Sequence, residues 1–146
     1  MKVAHAILML LLQAWPACPA EGWVTSGYGH RIHPLTHRRS FHEGIDIANI
    51  EGTPLRAPWA AVVSDIRRTG RAGLHVVLRT GPFPVKMAHL SSVLVVEGQR
   101  LKRGEKVGRM GHSGRVTGDH VHLELRRWNR RCDPSLLLAS CRPRPR

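Results

Sequence analysis

Glycine and proline punctuate this chain so densely that long helices have little room. The 14 glycines and 10 prolines are spread along all 146 residues. Between them lie short apolar runs, which is the pattern of many short strands and turns. Ala60 to Ile66, Leu74 to Arg79 and Val85 to Leu90 read as strands, and so do the shorter runs Val93 to Val96 and Val107 to Met110. His120 to Arg126 alternates cleanly between polar and apolar positions. This near-regular spacing predicts an all-β, antiparallel, sandwich-like fold. The length suits one compact domain. Residues 21–40 read as an irregular entry, Ser135 to Ala139 as one helical turn or a last strand, and Arg142 to Arg146 as a disordered basic end.

The first twenty residues bear on the compartment. Lys2 gives a positive start, Ala4 to Ala14 is an apolar run, and Pro16-Ala17-Cys18-Pro19-Ala20 follows with small residues. This reads as a secretory signal peptide covering 1–20, cleaved after Ala20. The run is shorter than the roughly 20 apolar residues of a membrane span. No transmembrane span is therefore expected after cleavage. A lipid anchor on Cys18 is the competing reading of the same segment. Cys18 leaves with the leader on the first reading, and Cys132 and Cys141 then form an even pair. In an oxidising compartment that pair predicts a disulfide. The remaining boundaries are a domain over 21–138 and a basic Pro/Arg tail over 139–146.

The charge is lopsided, with Lys+Arg 23 against Asp+Glu 10, a formal +13. Such a field attracts polyanions. There is no basic helix and little aromatic interleaving for base stacking, so nucleic acid is not expected as a partner. An anionic cell-envelope surface is.

Ten histidines ask for an explanation. In His42-Glu43-Gly44-Ile45-Asp46, positions i and i+4 of a strand point the same way, so an imidazole and a carboxylate can converge on a cation. His120-Val121-His122 places two imidazoles on one strand face, with Glu124 beyond them. Val121, Leu123 and Leu125 take the apolar face. His89 ends the strand Val85 to Leu90. Two histidines and a carboxylate are a ligand set for catalytic zinc, which keeps its fourth position for water. Other histidines are then left for acid–base work or charge stabilisation. His42-Glu43 is not the start of a helical His-Glu-x-x-His motif, because position 46 is Asp and Gly44 lies inside.

In this order the motifs resemble the lysostaphin-type, LytM-like family of murein zinc metallo-endopeptidases. The similarity runs from about Thr25 to Leu138. It includes Ser26-Gly27-Tyr28-Gly29-His30-Arg31-Ile32-His33-Pro34, Phe41 to Ala48, Gly52 to Pro58, His89-Leu90-Ser91, and Gly111-His112-Ser113-Gly114 through to Glu124. The resemblance implies that His42, Asp46 and His122 ligate one zinc ion per chain. It implies that His89 and His120 act on the scissile amide, and that Arg31 and His33 contact substrate. It also implies a peptide-binding groove and hydrolysis of peptide bonds in bacterial peptidoglycan. Three positions depart from the family habit: Asp119 stands for a proline, Met87 for an aromatic residue and Leu123 for a phenylalanine. They are expected to act on groove shape. The alternative function is a non-catalytic relative that binds peptidoglycan or activates another hydrolase; intact ligands argue for the enzyme. Periplasmic residence is expected over release to the medium.

Overall fold

The computed structural model describes residues 15–33, 36–81 and 83–142. The apolar run of the expected leader, Pro34 of the opening motif, Pro82 and the last four residues of the tail lie outside them. The architecture is β throughout, with every strand pairing antiparallel. The main sheet runs in the order β1 (Trp23–Ser26), β4 (Ile45–Ala48), β11 (His120–Arg127), β8 (Val85–Val93), β7 (Gly73–Arg79), β6 (Ala61–Thr69), β9 (Arg100–Leu101). It branches where β10 (Lys106–Met110) pairs with both β8 and β5 (Pro54–Arg56), and where β12 (Arg130–Cys132) pairs with β11. A separate hairpin joins β2 (Gly29–Ile32) to β3 (Arg39–His42). A short 3-10 helix, Pro134–Leu138, is the one helical element among the described residues.

Period-2 patterning builds the core. On β11 Val121, Leu123 and Leu125 are fully buried, and on β4 Ile45 and Ile47 join them. Val76 and Leu78 of β7, Val85, Met87 and Leu90 of β8, and Val107 and Met110 of β10 belong to the same core. The strand expectations for 60–66, 74–79, 85–90, 107–110 and 120–126 each meet an observed strand. Two differ. Residues 94–96 carry no strand, because β8 ends at Val93. The stretch 21–40, expected to be irregular, contains β1, β2 and the start of β3. Its glycines hid these short edge strands from periodicity.

The cysteine expectation is overturned. The disulfide joins Cys18 to Cys141, with Cα atoms 4.7 Å apart, and Cys132 is a free thiol. Cys132 is held in β12 opposite Leu125, while the chain beyond the 3-10 helix carries Cys141 back to the N-terminal segment. A disulfide at Cys18 also leaves it no sulfur for a lipid. Residues 15–20 are built into the domain. Ala20 is 2% exposed and bridges to Leu55. The Ala17 amide donates to the Pro58 carbonyl at 2.7 Å, and the Arg56 amide to the Pro19 carbonyl at 2.9 Å.

Candidate metal centre and groove

Strand register brings the first constellation together. Asp46 of β4 and His122 of β11 are direct cross-strand partners, and their side chains leave the sheet on the face opposite the core. His42, the last residue of β3, reaches the same point over a tight passage at Gly44. A Cβ on Gly44 would lie 2.2 Å from the Leu123 carbonyl oxygen and 2.9 Å from His122 Cε1. Only glycine lets the chain cross β11 this closely.

Three donor atoms result. His42 Nε2 lies 3.2 Å from His122 Nδ1 and 3.2 Å from Asp46 Oδ1, and His122 Nδ1 lies 2.7 Å from that same oxygen. Zinc bonds of about 2.0–2.1 Å in tetrahedral geometry set ligand atoms about 3.3 Å apart. The triangle is therefore the right size for such an ion after a small expansion, and its N2O donor chemistry fits zinc. The surrounding contacts orient each donor. His42 Nδ1 donates to the Gly27 carbonyl at 2.7 Å, which turns Nε2 and its lone pair inward. Arg31 Nη1 lies 3.7 Å from Asp46 Oδ2, the oxygen outside the triangle, and donates to Ser26 Oγ. Glu124 Oε1 lies 3.6 Å from His122 Nε2 and accepts from Lys86 Nζ at 3.1 Å.

The electrostatics agree with this wiring. Burial alone would raise the Asp46 pKa, but hydrogen bonds and charge from His122 and His42 outweigh it and hold the carboxyl well below the usual range. Burial would lower His122, yet Asp46 and Glu124 together raise it. Glu124 resists its burial in the same way and is held down at about 2 by His122 and Lys86. Both carboxylates are thus ionised at neutral pH, as ligand and orienting group require.

A second histidine pair stands beside the triangle. His89 and His120 have ring centroids 4.8 Å apart, and His89 lies 6.1 Å from the ring of His122. His89 Nδ1 donates to the Ser113 carbonyl at 2.8 Å and His120 Nδ1 to the Gly118 carbonyl at 2.9 Å. A carbonyl only accepts, so each ring carries a proton on Nδ1, and in the neutral imidazole the lone pair then lies on Nε2. Burial first, then the neighbouring charges of His120 and His122, pushes the His89 pKa down to about 4. It is neutral at physiological pH.

His89 reaches the site only because β8 breaks its alternation. Between Met87 and Leu90 the strand has one residue more than β7 opposite, and His89 takes φ 68°. A regular strand would send His89 to the same side as buried Met87. The bulge and the left-handed backbone turn it to the groove instead, at a cost of about 1–2 kcal/mol.

The five residues line one groove of about 410 Å³, with Arg31, His33, Glu43, Arg71, Lys86 and Arg115 also on its walls. Such a volume accommodates a few residues of extended peptide. All seven residues singled out for metal, catalysis and substrate lie here. His30, His37, His75 and His112 do not line it; His75 is buried against the Gly73 carbonyl and His112 pairs with Asp119 at 2.8 Å. Sequence reasoning missed Arg71 and Arg115, whose one signal was membership in a generally basic composition. The departures divide. Met87 and Leu123 are cross-strand partners deep in the core, fully buried, and so do not shape the groove directly. Asp119 pairs with His112, and neither lines the groove.

Comparison with known proteins agrees with this geometry. The chain is 42% identical over 96 residues to the peptidoglycan DD-endopeptidase ShyA of Vibrio cholerae serotype O1, covering 65% of this chain and 22% of that one. It is 38% identical over 104 residues to the DD-carboxypeptidase/endopeptidase Mpg of Neisseria meningitidis serogroup B, covering 70% and 24%. The chain thus spans about a quarter of the length of these relatives. A zinc-containing peptidase from Vibrio cholerae superposes with a TM-score of 0.74 at 33% identity, over 88% of this chain and 40% of that one. The catalytic domain of lysostaphin from Staphylococcus simulans, at 24% identity and a TM-score of 0.72, shares the fold over 80% of this chain and 92% of its own. Residues 40–134, well over half of the chain, match the model of peptidase family M23, and the chain belongs to that family.

Proposed function

We propose that this protein is a zinc-dependent endopeptidase that hydrolyses peptide bonds in bacterial peptidoglycan. The observation that carries the reading is the donor triangle of His42 Nε2, Asp46 Oδ1 and His122 Nδ1, with the Nε2 lone pairs of His89 and His120 beside it. Those three residues would hold one zinc ion per chain. When bound, zinc supplies Lewis-acid activation of water and of the scissile carbonyl. The rest falls to the chain. His89 or His120 accepts a proton from the attacking water at Nε2 as the new C–O bond forms. The same pair returns a proton to the amine nitrogen as the C–N bond breaks. Their rings also present donors to the developing oxyanion once protonated. Arg31 holds Asp46, and Glu124 with Lys86 holds His122, so the ligands need little rearrangement. Arg31 is on this reading mainly an orienting residue; His33 remains the substrate contact.

A wall substrate requires a site beyond the inner membrane. No helix among the described residues is long and apolar enough to cross a membrane. We place the mature protein in the periplasm, with its basic surface held against the anionic envelope. On this reading the expected cleavage after Ala20 is disfavoured, because it would discard a segment that fills core and carries Cys18.

The test is zinc content with peptidoglycan digestion, for the wild type beside His122→Ala and His120→Ala. The wild type should hold about one zinc and release new amino termini. His122→Ala should lose both metal and activity; His120→Ala should lose activity alone. Full zinc occupancy without cleavage of any wall preparation would favour the non-catalytic, binding or activating role. Equal zinc loss in both variants would overturn the division of roles.

A further inference from the structure

The groove has more cations than its own acids can match. Three carboxylates line it, and each has a basic partner: Asp46 with Arg31 at 3.7 Å, Glu124 with Lys86 at 3.1 Å and Glu43 with Arg131 at 2.8 Å. Arg71 and Arg115 also line it, and among the described residues neither pairs with a carboxylate.

These two arginines share one rigid rim. Arg71 lies in the β6–β7 turn and Arg115 in the loop leading to β11, and the Arg115 amide donates to the Arg71 carbonyl at 3.1 Å. The backbones are in contact: a Cβ on Gly73 would lie 2.3 Å from the Ser113 carbonyl, and one on Gly114 would lie 2.5 Å from the Gly73 nitrogen. The same two loops hold His89. Its amide donates to the Ala72 carbonyl at 3.0 Å and its ring to the Ser113 carbonyl at 2.8 Å. The arginines are therefore one residue from Ala72 and two from Ser113, the residues that seat His89.

We propose that Arg71 and Arg115 form a carboxylate-reading clamp, which selects cross-link peptides bearing a free carboxylate beside the scissile bond. This rests on the hydrolase reading. A guanidinium matches a carboxylate with two parallel donors, whereas a neutral amide offers it one acceptor and no charge. A pair of unmatched guanidinia at the chemical end of a groove therefore favours a diamino acid with a free carboxylate over its amidated form or a neutral glycine bridge.

The test uses two synthetic cross-linked peptides that differ only in whether the diamino acid carboxylate is free or amidated. The zinc-loaded wild type should cut the free form with about five- to tenfold higher kcat/KM, and added salt should shrink the ratio. Arg71→Ala/Arg115→Ala should bring the ratio near one by losing rate on the free form while keeping its rate on the amide. Equal wild-type rates, or an equal loss on both peptides, would overturn the clamp. If neither peptide is cut, the hydrolase reading fails, and binding decides the clamp separately. Zinc-loaded His120→Ala protein should then bind the free form more tightly by calorimetry, and the added arginine substitutions should abolish the difference. Equal binding of the two peptides would overturn the proposal.

Discussion

His89 is the residue whose environment departs furthest from ordinary imidazole chemistry. Its pKa falls from 6.5 to about 4 because burial and neighbouring histidines disfavour its charge. An unfolded chain binds its proton near 6.5 and the folded chain does not. The resulting stability is complete above about 6.5 and is lost as the pH falls toward about 4. In metal-free protein, Tm measured across that window should drop more steeply for the wild type than for His89→Gln. Parallel curves would show that His89 is not held neutral. Glu124 makes a second expectation at this scale. Glu124→Gln removes the charge beside His122 Nε2 but keeps the volume, so zinc affinity should fall about 10- to 100-fold in competition with a chelator while the fold persists. Not all of this was legible beforehand. His122, Asp46 and Glu124 follow from strict alternation, which needs only the strand to exist. His89 was found through family likeness; its own alternation would have sent it into the core beside Met87.

Among elements, β11 does most to join core and site. Its apolar face meets β4 and β8 through Val121, Leu123 and Leu125, and its other face presents His120, His122 and Glu124. The β3–β4 passage must then cross it almost at contact distance. Gly44→Ala puts a methyl group against a backbone oxygen that has nowhere to go. The passage should shift, moving His42 away from the triangle and weakening zinc binding at least tenfold, with a lower Tm; chelator competition and a melting curve check both. Unchanged zinc affinity would mean that the passage yields freely. Strands of alternating or continuous apolar residues were readable because the sheet imposes period 2. Strands β1, β2 and β12 were not, since they are short and mostly exposed, and pairing with longer neighbours defines them.

At the scale of the molecule, the two ends of the chain are tied together across 123 residues by Cys18–Cys141. In the chain-entropy account, closing a loop of that length stabilises the fold by up to about 5 kcal/mol. Cys18→Ser should therefore lower Tm on the order of 10 °C, and a reducing agent should do the same to the wild type but not to the variant. The pairing escaped sequence reasoning because Cys18 looked like part of a discarded leader, and parity then paired the two cysteines that were left. The residues from Trp15 to Ala20 carry no strand pattern, so their place against Leu55 and Pro58 is visible only in three dimensions.

That tie also acts as a clock. In a reducing cytosol the thiols stay apart, and the newly made chain has both ends loose and a weaker hold on its native state. Export machinery that threads unfolded chains would find it easier to move in that condition. If the chain is exported, as the proposed wall substrate requires, oxidation there would close the ring and make the same sequence harder to unfold. On the proposed reading, a wall-cutting fold would then be most stable on the side of the membrane where its substrate lies, hardened there by sulfur chemistry rather than by any residue of the groove.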